Sequence, residues 1–314
     1  MRVLYAGTPA TAVAPLVALL ADATGRIEVV GVLTREDAPV GRKRVLTPSP
    51  VAARAEELGL PVIRANRYDD AAHAAVTALA PEAAAVVAYG AILPERALEA
   101  VPKGWINLHY SDLPRWRGAA PVQRALMAGE RELTACTFRI ERGLDTGPVY
   151  HRLTEPVGSE DDAGTMLERL SAAGGPLLAR TLGEIAEGTD RPTPQEGEPT
   201  TAAKLTAEQA RIDWQAPAEQ VAALVRGTTP EPGAWTTLEG QRVKVAGLVP
   251  VGASSGHRPG TVRLEGRDVL VSAGDGDLRL GRKCVHPRRS SRTIPAIVRK
   301  NLWKTPAEPL VPSS

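Results

Sequence analysis

The chain has 314 residues, more than one ordinary core accommodates, so two domains are expected. Hydrophobic residues make up 43% and aromatic ones only 4%, which points to aliphatic cores built from Ala, Val and Leu. A formal charge of +2 excludes a protein that coats nucleic acid over its whole surface, so any polyanion contact must be a local patch. Cys136 and Cys284 supply neither a disulfide framework nor zinc-ligand spacing. No run approaches the roughly 20 apolar residues that span a bilayer, and "MRVLYAG" lacks the features of a leader. A soluble, cytoplasmic chain with no membrane contact is expected.

In chain order, "RVLYAG" (2–7) reads as a buried strand and "AVAPLVALLAD" (12–22) as a helix. "IEVVGVLT" (27–34) is a second strand. In "PSPVAARAEELG" (48–59), Ser49 before Pro50 has the form of an N-cap followed by proline in the first helical turn. "LPVIRA" (60–65) is strand three, "AAHAAVTALAP" (71–81) a helix, "AAAVVAYG" (83–90) strand four and "WINLH" (105–109) strand five. Strands that are continuous apolar runs, alternating with helices, predict a mostly parallel sheet covered on both faces. Ligands in such sheets sit outside the carboxyl ends of the strands. Residues 132–153 predict two strands joined by a Gly-Asp-Gly turn. A helical pattern follows from about Gly164 to Gly188, with Gly174, Gly175 and Pro176 expected to break or kink it.

"GTDRPTPQEGEPTTAAK" has no apolar period and predicts a linker. The expected layout is a domain over 1–190, a linker over 191–205 and a second domain over 206–314. "AEQARIDW" and "PAEQVAALVRG" predict short helices. Hairpins are predicted over Glu239-Gly240 and Glu265-Gly266, and short strands with such turns suggest a small β-barrel. The tail 282–314 has no clear period and carries eight Lys/Arg against a single acid.

Several chemistries are poorly served. "AGTPAT" in the first strand-to-helix turn has one glycine, so it is no dinucleotide fingerprint, and no phosphate loop is present. The histidines at 73, 109, 151, 257 and 286 lack metal-ligand spacing. No nucleophile elbow occurs. Asn107, His109 and Asp145 remain. Asn107 and His109 lie two apart at a strand end and point the same way. Asp145 sits in "GLDTG". In one reading Asp145 caps a turn and His109 satisfies a strand end. In the other, the carboxylate orients and charges the imidazole, which with the Asn107 amide stabilises an oxyanion. With no serine or cysteine nucleophile evident, the second reading suits acyl transfer to an amine without a covalent enzyme intermediate. An α-amine, with a pKa near 7.7–8.0, is already partly neutral.

The run "NLHYSDLPRWRGAAP" (107–121), followed by the "GLDTG" turn, resembles the folate-dependent formyltransferase family. "AGTPATAV", "GRKRVLTPSPV", "VVAYGAILP", "LPRWRGAAPVQRALMAGE", "ARIDW" and "PEPGAW" resemble its branch that formylates initiator methionyl-tRNA, in order from residue 1 to about 280. The resemblance implies a Rossmann-like, mostly parallel α/β domain followed by an OB-like β-barrel that binds tRNA. It implies a monomer with 10-formyltetrahydrofolate as co-substrate and no metal.

On that resemblance, Asn107 and His109 hold the oxyanion and Asp145 orients His109. Val87, Tyr89, Gly90, Ile92 and Leu93, with Ser111, Asp112, Leu113 and Pro114, line the folate pocket. Arg42, Lys43 and Arg44 in the long 35–50 connection, with Arg115 and Arg117, face tRNA. Trp116 is either part of that cationic wall or a plug between domains. Asp112 departs from the family's usual leucine, and the tail beyond about Leu280 departs from its usual strand and short helix. A formyltransferase acting on a sugar nucleotide or on glycinamide ribonucleotide, and a folate- or RNA-binding homologue without catalysis, are the alternatives.

Overall fold

A computed structural model of the chain describes residues 1–41, 43–238, 240–253, 256–266 and 268–281. Arg42, Glu239, Cys284, His286 and the tail from 282 therefore lie outside the described residues. Among the described residues two compact units form: residues 1–118, 134–155 and 167–201, and residues 119–133, 156–166 and 202–281.

The chain opens with β1 (Arg2–Gly7), α1 (Val13–Leu20), β2 (Glu28–Thr34), β3 (Ala38–Val40), β4 (Val45–Thr47), α2 (Pro50–Glu57) and β5 (Val62–Arg64). It continues with α3 (Asp70–Ala78), β6 (Ala83–Val87), α4 (Glu95–Glu99), β7 (Trp105–His109), α5 (Pro121–Met127), β8 (Glu132–Arg139), β9 (Val149–Pro156) and α6 (Ala163–Glu187).

In the first unit, seven strands make one sheet in the order β5-β2-β1-β6-β7-β8-β9. The pairings from β5 through β7 are parallel. β7 pairs antiparallel with β8, placing His109 opposite Cys136. Strand order reverses between β1 and β6, the position at which open α/β sheets bind ligands outside the carboxyl ends of their strands. β1, β2 and β6 are largely apolar and buried along most of their length, the pattern of strands covered on both faces. Leu4, Leu33, Val86 and Trp105 belong to one buried cluster. The Ser49 hydroxyl accepts the Ala52 N–H at 3.0 Å, so the cap of α2 falls at the predicted residue.

Two elements differ from expectation. α6 runs unbroken over its 25 residues, with Pro176 inside it. Its glycines serve packing: a Cβ on Gly174 would meet Leu108 Cδ2 at 2.8 Å, and one on Gly175 would meet Ala18 Cβ at 2.7 Å. Close approach to β7 and α1 outweighs the poor helix propensity of Gly-Gly-Pro. The 35–50 connection is not an open loop but a ribbon in which β3 pairs antiparallel with β4. Its turn closes with the Arg44 N–H donating to the Gly41 carbonyl at 3.1 Å.

The second unit adds α7 (Ala218–Thr228), β10 (Trp235–Leu238), β11 (Gln241–Lys244), β12 (Leu248–Ala253), β13 (Val262–Glu265), β14 (Asp268–Ser272) and β15 (Gly276–Leu280). "AEQARIDW" forms a single 3-10 turn at Glu208–Ala210 instead of an α-helix. β10 and β11 form one hairpin, and β12-β15-β14-β13 form an antiparallel sheet. α7 packs on α5 so closely that a Cβ on Gly227 would meet the Gln123 carbonyl at 2.6 Å. Ile212, Trp214, Val221, Val225, Val271 and Leu278 fill its core.

Candidate active site

β7 carries two polar residues towards its carboxyl end. Asn107 is half-buried and His109 buried, at alternate positions of one strand. The His109 ring stands edge-on to Phe138, with centroids 6.0 Å apart. Its Nε2 lies 3.1 Å from the carbonyl oxygen of Trp116. A carbonyl only accepts, so Nε2 carries the proton, and Nδ1 is the basic nitrogen of the neutral ring.

The tryptophan between two arginines is explained first by its backbone. Trp116 has φ 60, the left-handed region that a bulky residue rarely enters. That turn aims its carbonyl at His109. It is held by the Trp116 N–H donating to Thr200 Oγ1 at 2.8 Å and the Arg117 N–H donating to the Thr200 carbonyl at 2.8 Å. The Arg115 guanidinium lies 5.8 Å from the Trp116 ring centroid.

Asp145 lies between β8 and β9, also in the left-handed region at φ 51. Its Oδ2 accepts the Gly118 N–H at 2.7 Å, tying the "GLDTG" turn to the segment after Trp116. Space is tight on both sides, and at Gly147 it admits no side chain. A Cβ on Gly143 would meet Thr146 Oγ1 at 2.4 Å, and one on Gly147 would fall 1.8 Å from the Arg139 carbonyl oxygen. Only backbone movement in β8 relieves the second clash. Gly147→Ala is therefore expected to destabilise the protein by about 1–3 kcal/mol, as overpacking does, and to lower turnover by displacing Asp145. Thermal melting alongside steady-state turnover checks this; a variant matching the parent in both contradicts it.

Burial is the main influence on His109 and lowers its pKa below the usual imidazole value. The Asp145 charge and the Trp116 carbonyl raise it, in part. The resting imidazole is thus neutral at pH 7, where the sequence suggested a charged ring. The sequence shows an acid that can reach His109 but not how deeply the ring is buried.

The segment expected to line a folate pocket divides. Val87 ends β6, and the backbone turns left-handed at Ala88 (φ 49) and Gly90 (φ 83). Thr8 Oγ1 donates to the Tyr89 carbonyl at 2.8 Å, fastening this turn beside the end of β1. The Tyr89 side chain points inward, its hydroxyl donating to the Ala65 carbonyl at 2.8 Å. Leu93 packs against the same buried cluster. Ile92 is 89% exposed. Ser111 is buried and donates to the Arg115 carbonyl at 2.7 Å. Leu113 packs with Cys136, Phe138 and Val149, and the Pro114 carbonyl accepts the Thr200 N–H at 3.2 Å.

Asp112 is exposed and its side chain pairs with Arg152, whose Nε lies 2.7 Å from Oδ1. Arg152 also donates to the Leu113 carbonyl at 3.2 Å. Both side chains of the pair are substantially exposed, 56% and 40%, so its worth is about 0–1 kcal/mol. Asp112→Leu should leave the melting temperature nearly unchanged and hold or improve folate affinity; a clear loss of affinity by titration would assign Asp112 a positive role.

Of the expected RNA-facing cations, Lys43 and Arg44 are exposed at the ribbon tip and Arg115 is exposed beside Trp116. Arg117 is half-buried, and its guanidinium is directed to Gln195. Gln195, Thr200 and Arg152 support the site without any motif to announce them. Among the described residues no cluster of side chains could hold a metal ion, and no helix is long and apolar enough to cross a membrane.

Residues 1–182 match the formyl transferase family and residues 204–290 its C-terminal domain. The chain belongs to the formyltransferase family. It is 53% identical over 296 residues to the methionyl-tRNA formyltransferase of Paenarthrobacter aurescens (strain TC1), covering 94% of this chain and 95% of that one. It is 49% identical to the enzyme of that name from Streptomyces coelicolor (strain ATCC BAA-471 / A3(2) / M145), covering 89% and 90%. Among solved structures, a methionyl-tRNA formyltransferase from Clostridium thermocellum shares the fold with a TM-score of 0.56 at 16% identity, over 88% of this chain and 98% of that one. An N-formyltransferase from Helicobacter canadensis, in complex with folinic acid and dTDP-3-aminofucose, shares it with a TM-score of 0.66 at 15% identity, over 89% and 98%. In this chain Asn107 and His109 stand towards the carboxyl end of β7, and the Asp145 charge acts on His109.

Proposed function

We propose that this formyltransferase transfers the formyl group of 10-formyltetrahydrofolate to the α-amine of initiator methionyl-tRNA, in the cytoplasm, as a step of translation initiation. The observation that carries this reading is near-complete alignment, at about half identity, with chains bearing that name. Residues 1–190 form the catalytic domain and 206–314 the tRNA-binding domain in this proposal, with 191–205 running from one to the other, and the protein acts as a monomer.

The amine nitrogen attacks the formyl carbon, and the bond from that carbon to the folate nitrogen breaks. Negative charge develops on the formyl oxygen, and the Asn107 amide donates to it. The neutral His109 accepts the proton lost by the amine. The resulting imidazolium is stabilised by Asp145 and donates to the developing oxyanion. The proton then leaves with the folate nitrogen, so the enzyme returns unchanged. A resting neutral ring suits this order, because His109 gains its charge when the substrate develops the opposite one.

The exposed turn at Ala88–Gly90 and the exposed Ile92 offer backbone polar groups beside an aliphatic surface, which fits a flat heterocycle with polar edges. Val87, Tyr89 and Leu93 hold that turn from behind, and Ser111, Asp112, Leu113 and Pro114 shape the opposite side. Arg42, Lys43, Arg44 and Arg115 face the RNA. The test is formyl transfer to charged initiator tRNA compared with free methionine, an amino sugar nucleotide and glycinamide ribonucleotide. Preference for one of the small amines would move the assignment to a small-molecule formyltransferase.

A further inference from the structure

The segment between α6 and the second unit is laid against the catalytic unit as a strap. Thr193 pairs with Val149, and Thr201 pairs with Arg117. Between these bridges, Gln195 makes four hydrogen bonds. Its Nε2 donates to the Asp145 carbonyl and to the Gly147 carbonyl, each at 2.8 Å. Its Oε1 accepts from Arg117 Nη2 at 2.7 Å and Nε at 3.3 Å. The two ends of the amide are therefore distinguished by their partners: carbonyls require the NH2 group and a guanidinium requires the oxygen. A side chain with two donors and an acceptor at this reach is what the site demands, and glutamate or lysine supplies only half of it.

We propose that Gln195 is a positioning residue of formyl transfer, clamping the Asp145 turn to the Arg117 segment and thereby holding the carboxylate and the Trp116 carbonyl in register around His109. One side of the clamp is the turn in which Asp145 adopts φ 51; the other adjoins Trp116, at φ 60. Two left-handed non-glycine residues are strained and persist only where surrounding contacts over-determine them. Gln195 and Thr200 are those contacts. The strap is then part of the active site and not a spacer between domains. This rests on the reading of Asn107, His109 and Asp145 as the reacting groups.

His109 reports the clamp without turnover. Among the described residues, the groups facing it from neighbouring elements are these. Asp145 is the charge that acts on it. Cys136, opposite on β8, stays neutral with its thiol pushed up to about 12 by burial. Tyr110, next in sequence, is likewise pushed up to about 12. Val86, which pairs with Asn107 from β6, is apolar.

The experiment uses the full chain with labelled histidine. The imidazole titration is followed by NMR, the His109 resonance assigned with a His109→Asn control, and kcat and KM are measured in parallel. In Gln195→Met the clamp is broken at both ends. The His109 midpoint should move to lower pH, because the stabilising carboxylate is no longer held. kcat should fall by up to about 10²-fold, the cost of a misplacement near 1 Å, with KM for both substrates little changed. Gln195→Glu keeps the acceptor for Arg117 but sets an oxygen against two carbonyls, so it should resemble Gln195→Met despite its new ion pair. A Gln195→Glu variant with parental kcat and His109 midpoint would show that only the Arg117 tie matters and would overturn the proposal. So would Gln195→Met with both readouts unchanged, whatever its melting temperature. If instead the midpoint moves but His109→Asn keeps full turnover, the clamp exists and the assignment of the reacting groups is what fails.

Discussion

Replacing Asn107 or His109 by alanine is expected to lower kcat by about 10²–10³-fold, the usual cost of one oxyanion-hole donor. The two losses should not multiply in the double variant, since both side chains act on one oxygen. Asp145→Asn preserves an oxygen for the Gly118 N–H but removes the charge that holds the His109 pKa up against burial. The sign follows from those two influences: without the carboxylate, the midpoint falls further below the usual imidazole value. The acid limb of the kcat profile should therefore move to lower pH while the plateau drops, because the imidazolium formed during reaction has lost its counter-charge. Steady-state profiles of the parent and Asp145→Asn decide this. A limb that moves to higher pH, or a plateau that stays at the parent level, contradicts the role given to Asp145.

Replacing Arg42, Lys43 and Arg44 together by alanine should raise KM for charged tRNA and flatten the salt dependence. Each duplex phosphate that the protein no longer neutralises lowers the slope of log K against log salt by about 0.9. Lys43 and Arg44 are exposed at the tip of the β3–β4 ribbon, and Val40, Val45 and Leu46 on its strands are exposed as well. Such a ribbon has little role in its own unit's core, so removing its charge should leave the melting temperature unchanged. Any transfer to a small amine should also be unaffected. Equal salt slopes for parent and triple variant would remove the ribbon from RNA recognition.

The sheet was readable because β1, β2 and β6 are largely apolar runs between helical periods, and Ser49-Pro50 marks a cap by simple chemistry. The Asn-x-His pair was readable because alternation along a strand puts both side chains on one side. Other features depend on residues distant in sequence. Gly174-Gly175-Pro176 reads as a break, yet α6 continues because Leu108 and Ala18 need that space. The ribbon leaves little trace in the sequence because its strands are three residues each and carry no alternation. Trp116 drew attention through its side chain, while its carbonyl is what touches His109; a left-handed tryptophan leaves no mark in the sequence. Gln195 lay in a Pro- and Thr-rich stretch that composition alone assigns to a spacer.

Whether charged initiator tRNA is the acceptor, and His109 a reacting group, is decided by following formyl transfer from 10-formyltetrahydrofolate with the full chain. Charged initiator tRNA, free methionine, an amino sugar nucleotide and glycinamide ribonucleotide are compared side by side, with His109→Ala as control. Formylation of the charged tRNA in strong preference to every small amine, and its near-loss in the control, is the predicted result. Equal or better transfer to a small amine, or undiminished transfer to the tRNA by the His109→Ala variant, would contradict it.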